Sequence, residues 1–133
     1  MPIIHHRLSK AVLFLASMTC VLLQLGCTPS TAPMSDAGRA KELLQSALDA
    51  WQSGASIEDS RKANPPVYVT EDFWRNGSKL REYKLVGESE VLGSNIRFKV
   101  DLRCTNKAGK AMDKSVRYLV TTVPALTIVR EEG

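Results

Sequence analysis

The stretch Ile96-Arg97-Phe98-Lys99-Val100-Asp101-Leu102-Arg103-Cys104 alternates apolar and charged side chains without a break. Because successive side chains of a strand point to opposite faces, this pattern predicts a strand with one buried and one solvated face. A hairpin signal follows at 106–109, after which Val116, Tyr118 and Val120 repeat the alternation. The two strands predict a sheet that is covered on one side only.

Before these strands, the apolar side chains have the spacing of an amphipathic helix. Apolar side chains recur at three- and four-residue steps from Ala40 to Trp51, behind the potential N-cap residues Ser35 and Asp36. The helix should end near Gly54. A second, shorter helix can begin at Ser56, and it must stop before the prolines at 65–66.

Further strands complete the predicted domain. The sequence predicts a short strand at 66–70, a helical turn at 71–77, a strand at 80–92 with a bulge or bend at Gly87, and a last strand at 126–129. We predict an α+β fold, in which an N-terminal amphipathic helix and a short second helix pack on a bent antiparallel sheet of about four to five strands.

The N-terminal segment has the three-part layout of a secretory signal. Arg7 and Lys10 make its start basic, and no acidic residue precedes Asp36. An apolar run from 11 to 26 ends on Gly26, directly before Cys27. This order predicts export from the cytoplasm.

Gly26-Cys27 at the end of that run resembles the cleavage site of bacterial lipoprotein precursors. The resemblance implies a signal peptide at 1–26, cleavage between Gly26 and Cys27, a diacylglycerol on the Cys27 thiol, and a fatty acid such as palmitate on its new amine. Thr28, where an Asp would signal inner-membrane retention, then favours the periplasmic side of the outer membrane or the cell surface. The expected partner of the N-terminus is therefore the membrane, reached through lipid.

Three alternatives for this segment remain open. Cys20 is a second cysteine that could be lipidated, an ordinary signal peptidase could cut elsewhere, and the segment could persist as a single membrane-anchoring helix. The last alternative is strained, because a spanning helix needs about 20 apolar residues and the run at 11–26 is shorter. We expect a tether at 27–35 and one domain at 36–133.

Cleavage before Cys27 would also restrict the chemistry of the domain. The two histidines, at positions 5 and 6, would be lost, which excludes Ser-His-Asp and Cys-His catalysis and removes the commonest metal ligand. Only Cys104 would keep a free thiol, and its place in an apolar row predicts that it is inert. The net charge would fall from +4 to about +2 with the loss of Arg7 and Lys10. We therefore expect no metal, no cofactor and no nucleic acid partner.

Two groups of side chains are candidates for binding. Five aromatic residues could line a pocket, although a domain of this size more often uses them as core: Trp51, Tyr68, Trp74, Tyr83 and Tyr118. A basic row on the polar sheet face could contact an anionic envelope polymer or lipid headgroup, or form a solvated outer face: Arg97, Lys99, Arg103 and Arg117. Glu71 and Asp72 are adjacent acids at a helix start, where capping is more expected than catalysis.

The order of a long helix, a short helix and a bent sheet resembles the NTF2-like and cystatin-like folds. The segment that contains Trp51 and Gly54, then Pro65-Pro66-Val67-Tyr68-Val69, Trp74, Gly77, Leu80 and Tyr83, also resembles small uncharacterised bacterial lipoproteins of similar length. We expect an envelope lipoprotein that is a binding or structural module, with an unknown envelope protein, polymer or small ligand as its partner. The alternative is an NTF2-like enzyme that uses a carboxylate or a tyrosine, because the Asp-His pairing frequent in that family cannot exist in the mature chain.

Overall fold

The structure is a computed structural model that describes Gly26 and residues 33–133. In chain order the elements are α1 (Ala37–Gln52), α2 (Ile57–Arg61), β1 (Val67–Thr70), α3 (Asp72–Arg75), β2 (Lys79–Leu92), β3 (Asn95–Thr105), β4 (Ala111–Thr121) and β5 (Leu126–Arg130). No helix among these is long and apolar enough to span a membrane. The predicted α+β class is confirmed.

The five strands form one sheet in the order β1-β5-β4-β3-β2. The strands β2 to β5 make an antiparallel meander. β1 lies parallel to β5, with Val67 opposite Leu126, so the sheet is mixed rather than wholly antiparallel as predicted. Helix α3 and strands β2 to β4 lie between these two strands along the chain, and such a long connection allows parallel pairing.

Helix α1 covers the inner face of the sheet. Its N-cap Asp36 accepts a hydrogen bond from Arg39 N at 2.7 Å, and the spacing of its apolar residues brings Leu44 and Trp51 onto one buried side. They pack on buried residues of β2 to β5, namely Leu80, Ile96, Phe98, Val100, Leu102, Cys104, Tyr118, Val120 and Ile128. The inner face is therefore filled by side chains.

The structure shows that the bulge or bend predicted at Gly87 is a bulge. The pairing register of β2 against β3 shifts between Val86 and Glu90, and Gly87 adopts a φ of 69° that favours glycine. After the shift, Glu90 lies opposite Arg97. The bulge thus places a carboxylate beside the basic row of the outer face.

Residues before α1 are bonded to one end of the sheet. Ser35 N donates to Ser94 O at 3.2 Å, and the Ser35 hydroxyl accepts from Thr122 N at 2.8 Å. Ser35 is buried, although we predicted it to belong to the tether. We call this end, formed by residues 33–35, 63–70, 91–96 and 121–127, the tether end. The opposite end, formed by Lys79 and the β3–β4 connection at 105–111, is the distal end.

Candidate functional site

The most unusual buried polar group is Glu71, which is only 1% exposed. It is the N-cap of α3, and its Oε1 accepts a hydrogen bond from Phe73 N at 2.8 Å. The capping role predicted for this position is therefore present. An ionisable side chain this deeply buried also needs further partners, because unpaired burial of a charge is very unfavourable.

Two long-range partners meet the Glu71 carboxylate. Tyr118 of β4 donates its hydroxyl proton to Oε2 in a short hydrogen bond. Arg130 of β5 places Nη1 3.0 Å from Oε1 and Nη2 3.5 Å from Asp72 Oδ2. The contact between Arg130 Nη1 and Glu71 Oε1 does not have the geometry of a hydrogen bond, so the attraction between the two groups is electrostatic. The Arg130 guanidinium also stacks over the Phe73 ring, 4.1 Å from its centroid.

Burial dominates the electrostatics of this cluster. Loss of solvent raises the pKa of Glu71, and the Tyr118 hydrogen bond, the Phe73 amide and Arg130 oppose that rise. Burial, followed by the neighbouring carboxylate, raises the pKa of Tyr118 far above its ordinary value. Burial also raises the pKa of the Cys104 thiol to about 11, which agrees with an inert thiol. The cluster holds α3 against β4 and β5, and its groups bond to one another.

A cleft of about 610 Å³ opens beside Arg130, near the end of β5. Phe73 and Val116 contribute apolar walls. Basic and acidic side chains line the rest: Arg97, Lys99, Arg117 and Arg130, facing Glu88, Glu90, Glu131 and Glu132. The arrangement can accept a ligand that carries both signs of charge.

The predicted basic row lies on the outer face, but acidic partners accompany it. Arg97 Nε and Nη2 both bond to Glu131 at 2.7 Å, and Nη1 bonds to Glu90 at 3.1 Å. Arg103 pairs with Glu82 at 3.3 Å and with Asp113 at 3.2 Å. Arg117 lies 3.8 Å from Glu131, while Lys99 is exposed in the 610 Å³ cleft.

These contacts make the outer face electrically mixed. The bond from Arg97 lowers the pKa of Glu131, so this carboxylate is charged at neutral pH. The basic row was predicted from the alternation of apolar and polar side chains along β3 and β4. The carboxylates that pair with it come from the bulged β2, from β4 and from the residue after β5. An anionic partner of this row would compete with these internal carboxylates.

The five aromatic candidates separate into two groups. Trp51 and Trp74 stack with ring centroids 5.6 Å apart, and their indole nitrogens donate to Ser78 O and Ala55 O. With Tyr118 they belong to the buried core. Tyr83 is partly buried and donates to Asp49 at 2.5 Å, and it lines a second cleft of about 400 Å³ with Arg103. Tyr68 is half exposed on the outer face.

Arg130 and Glu131 were missed by the sequence reasoning. Arg130 ends the short strand β5 and Glu131 follows it, and no local pattern distinguishes them from ordinary charged residues. The buried Tyr118 in an otherwise aliphatic row was the available signal, because a buried phenol needs a polar partner. The predicted lipidation residue Cys27 lies outside the residues that the structure describes.

No protein-family model, no curated protein and no solved structure matches this chain.

Proposed function

We propose that the chain is an exported bacterial lipoprotein, cut between Gly26 and Cys27 and anchored by acyl chains on Cys27. Its α+β domain would be a binding or structural module of the cell envelope. The observation that carries this proposal is the order of the N-terminal residues: a basic start, an apolar run, and then Gly26-Cys27.

The packing of the domain supports a non-catalytic role. Side chains fill the inner face, where an NTF2-like enzyme would need a pocket. The buried carboxylate and phenol, which are the groups such an enzyme could use, are hydrogen-bonded to each other, and the carboxylate is also paired electrostatically with Arg130. We therefore prefer a module that acts through its surface. The 610 Å³ cleft beside Arg130, near the end of β5, would bind a small or polymeric envelope ligand.

Metabolic labelling with a radioactive fatty acid tests the anchor. The wild-type chain should incorporate label and fractionate with membranes, whereas Cys27→Ser should lose the label. Cys20→Ser is the matched control, because that cysteine lies within the segment that cleavage discards, and it should label like wild type. Equal labelling of wild type and Cys27→Ser would contradict the proposal, and loss of label in Cys20→Ser alone would assign the lipid to Cys20.

A further inference from the structure

The tether end of the domain contains long runs without a charged side chain. Residues 33–35, 63–70, 91–96 and 121–127 include no Asp, Glu, Lys, Arg or His. Strand pairing and side-chain bonding bring the strand ends together, since Ile96 lies opposite Val120, the Thr121 hydroxyl donates to Asn95 Oδ1 at 2.7 Å, and Thr121 lies opposite Thr127. Charged residues make up 24% of the whole sequence, so these runs are unusually poor in charge; the exposed Asp36, whose amide donates to Thr122 Oγ1 at 3.3 Å, lies at their border.

Several apolar side chains at the tether end are exposed to solvent. Met34 is 60% exposed and Val91 is 59% exposed, and Tyr68 is half exposed on the outer face. Apolar side chains with an accompanying Tyr suit the boundary between water and lipid, where a ring can be buried while its hydroxyl stays hydrated. The tether end thus has the chemistry of a surface that contacts headgroups.

The distal end differs in charge. Lys79 begins β2 there, and Lys107 and Lys110 lie in the connection between β3 and β4. Exposed ammonium groups remain strongly hydrated, so this end can be attracted to an anionic surface but does not enter an apolar one.

Chain length decides which end can contact the membrane. From Cys27 to Ser35 the chain has eight residue steps, which reach about 29 Å at most when fully extended. Ser35 is bonded to the tether end. The 11 residues of β3 separate the two ends by about 33 Å. A domain standing on its distal end would therefore hold Ser35 beyond the reach of a lipidated Cys27.

We propose that the tether end rests on the lipid surface at headgroup level, with Met34, Val91 and Tyr68 in contact with lipid and the distal end directed away from the bilayer. This inference rests on the proposed lipidation of Cys27. It specifies the lipid surface as a second contact of the domain, in addition to the acyl anchor.

Fluorescence quenching on the full, lipidated chain tests this orientation. Ser94→Cys and Ala108→Cys place a fluorophore on small, exposed residues in hairpin turns at the tether end and the distal end. Cys104 is buried and should not react with the fluorophore, and labelling of the parent protein, which lacks both new cysteines, measures any reaction at Cys104. In phosphatidylcholine vesicles with a nitroxide on the lipid headgroup, the fluorophore at 94 should be quenched several-fold more than the one at 108.

Two further arms make the outcome specific. Val91→Asp in the Ser94→Cys background should reduce the quenching, because a carboxylate resists transfer to the interface. Equal quenching at 94 and 108 would overturn the inference. Stronger quenching at 108 than at 94 in phosphatidylglycerol vesicles would also overturn it, because it would indicate docking through the distal end. Lipidation is verified first by fatty acid labelling. Its failure refutes the proposed function, whereas unfavourable quenching of a lipidated protein refutes only the orientation.

Discussion

The two faces of the sheet contain similar groups of one arginine and two carboxylates in very different surroundings. On the inner face, Arg130 meets Glu71 and Asp72 at 3.0 and 3.5 Å, and its side chain is 16% exposed. On the outer face, Arg103 meets its two carboxylates at 3.3 and 3.2 Å with 61% exposure. Because water screens the second group much more than the first, similar distances correspond to very different energies. Geometry alone therefore does not rank these interactions.

The largest effect should come from removing the inner carboxylate. Glu71→Ala removes the main carboxylate partner of the largely buried Arg130 and the hydrogen-bond acceptor of the Tyr118 hydroxyl. We therefore expect the free energy of unfolding to fall by about 4 kcal/mol. Urea denaturation at neutral pH measures this. Glu82→Ala, which removes an exposed partner of Arg103, is the matched control and should change stability by less than about 0.5 kcal/mol. Similar losses in the two variants would contradict the ranking.

Apolar packing on the same inner face should be nearly as sensitive. Leu44 is fully buried between α1 and the sheet. Leu44→Ala should destabilise the domain by about 3 kcal/mol, because it loses hydrophobic burial and leaves a cavity. Lys41→Ala, an exposed change on the same helix, should stay within about 0.5 kcal/mol of wild type. A mild effect of Leu44→Ala in the same urea experiment would show that α1 does not cover the sheet tightly.

Removing a single hydrogen bond from the inner cluster should have an intermediate effect. Tyr118→Phe keeps the ring in the core but leaves Glu71 Oε2 without its donor, and about 2 kcal/mol of stability should be lost. Tyr83→Phe removes the corresponding hydroxyl bond to the exposed Asp49 and is the control. Thermal unfolding of the two variants side by side checks the prediction, and a larger shift for Tyr83→Phe would reverse the comparison.

The two faces should also respond to pH with opposite signs. The pKa of Glu71 is raised in the folded state, so its burial penalty is present above that pKa and disappears as the pH falls toward 4.5. The pKa of Glu131 is lowered, so its contribution is present above 4.5 and is lost as the pH falls through the folded value. Acidification should stabilise wild type relative to Glu71→Gln and destabilise it relative to Glu131→Gln. If the free energy of unfolding of wild type, Glu71→Gln and Glu131→Gln changed with pH by the same amount across this range, the opposite pKa shifts of Glu71 and Glu131 would be refuted.

The smallest effect should come from the outer arginine. Arg103→Gln should alter the free energy of unfolding by less than about 0.5 kcal/mol, and adding salt should reduce even that difference. The measurement is urea denaturation at low and high ionic strength. A loss of more than about 1 kcal/mol that persists in high salt would mean that the outer pairs contribute as much as buried ones.

Local periodicity accounts for most of the fold that the sequence predicted. The alternation from Ile96 to Cys104 places the apolar members on the buried face, and the spacing from Ala40 to Trp51 gives the covering helix. The parallel pairing of β1 with β5 could not be predicted, because it joins segments 59 residues apart. No local pattern specifies which distant strand becomes a neighbour.

The candidate site was predicted less completely for the same reason. Glu71 was interpreted as a cap, which it is, but its burial depends on Tyr118, 47 positions away, and on Arg130. The basic row was recognised from its spacing in β3 and β4. Its acidic partner Glu90 depends on the exact register after the Gly87 bulge, which one sequence does not reveal.

The anchor at Cys27 is the central functional claim, and mass spectrometry of the mature protein extracted from membranes tests it most directly. We predict a chain that begins at Cys27, with the mass of a diacylglyceryl group and an N-linked acyl chain located on that residue by fragmentation. A mature chain that begins at another residue, or one whose Cys27 has a free thiol, would contradict the account.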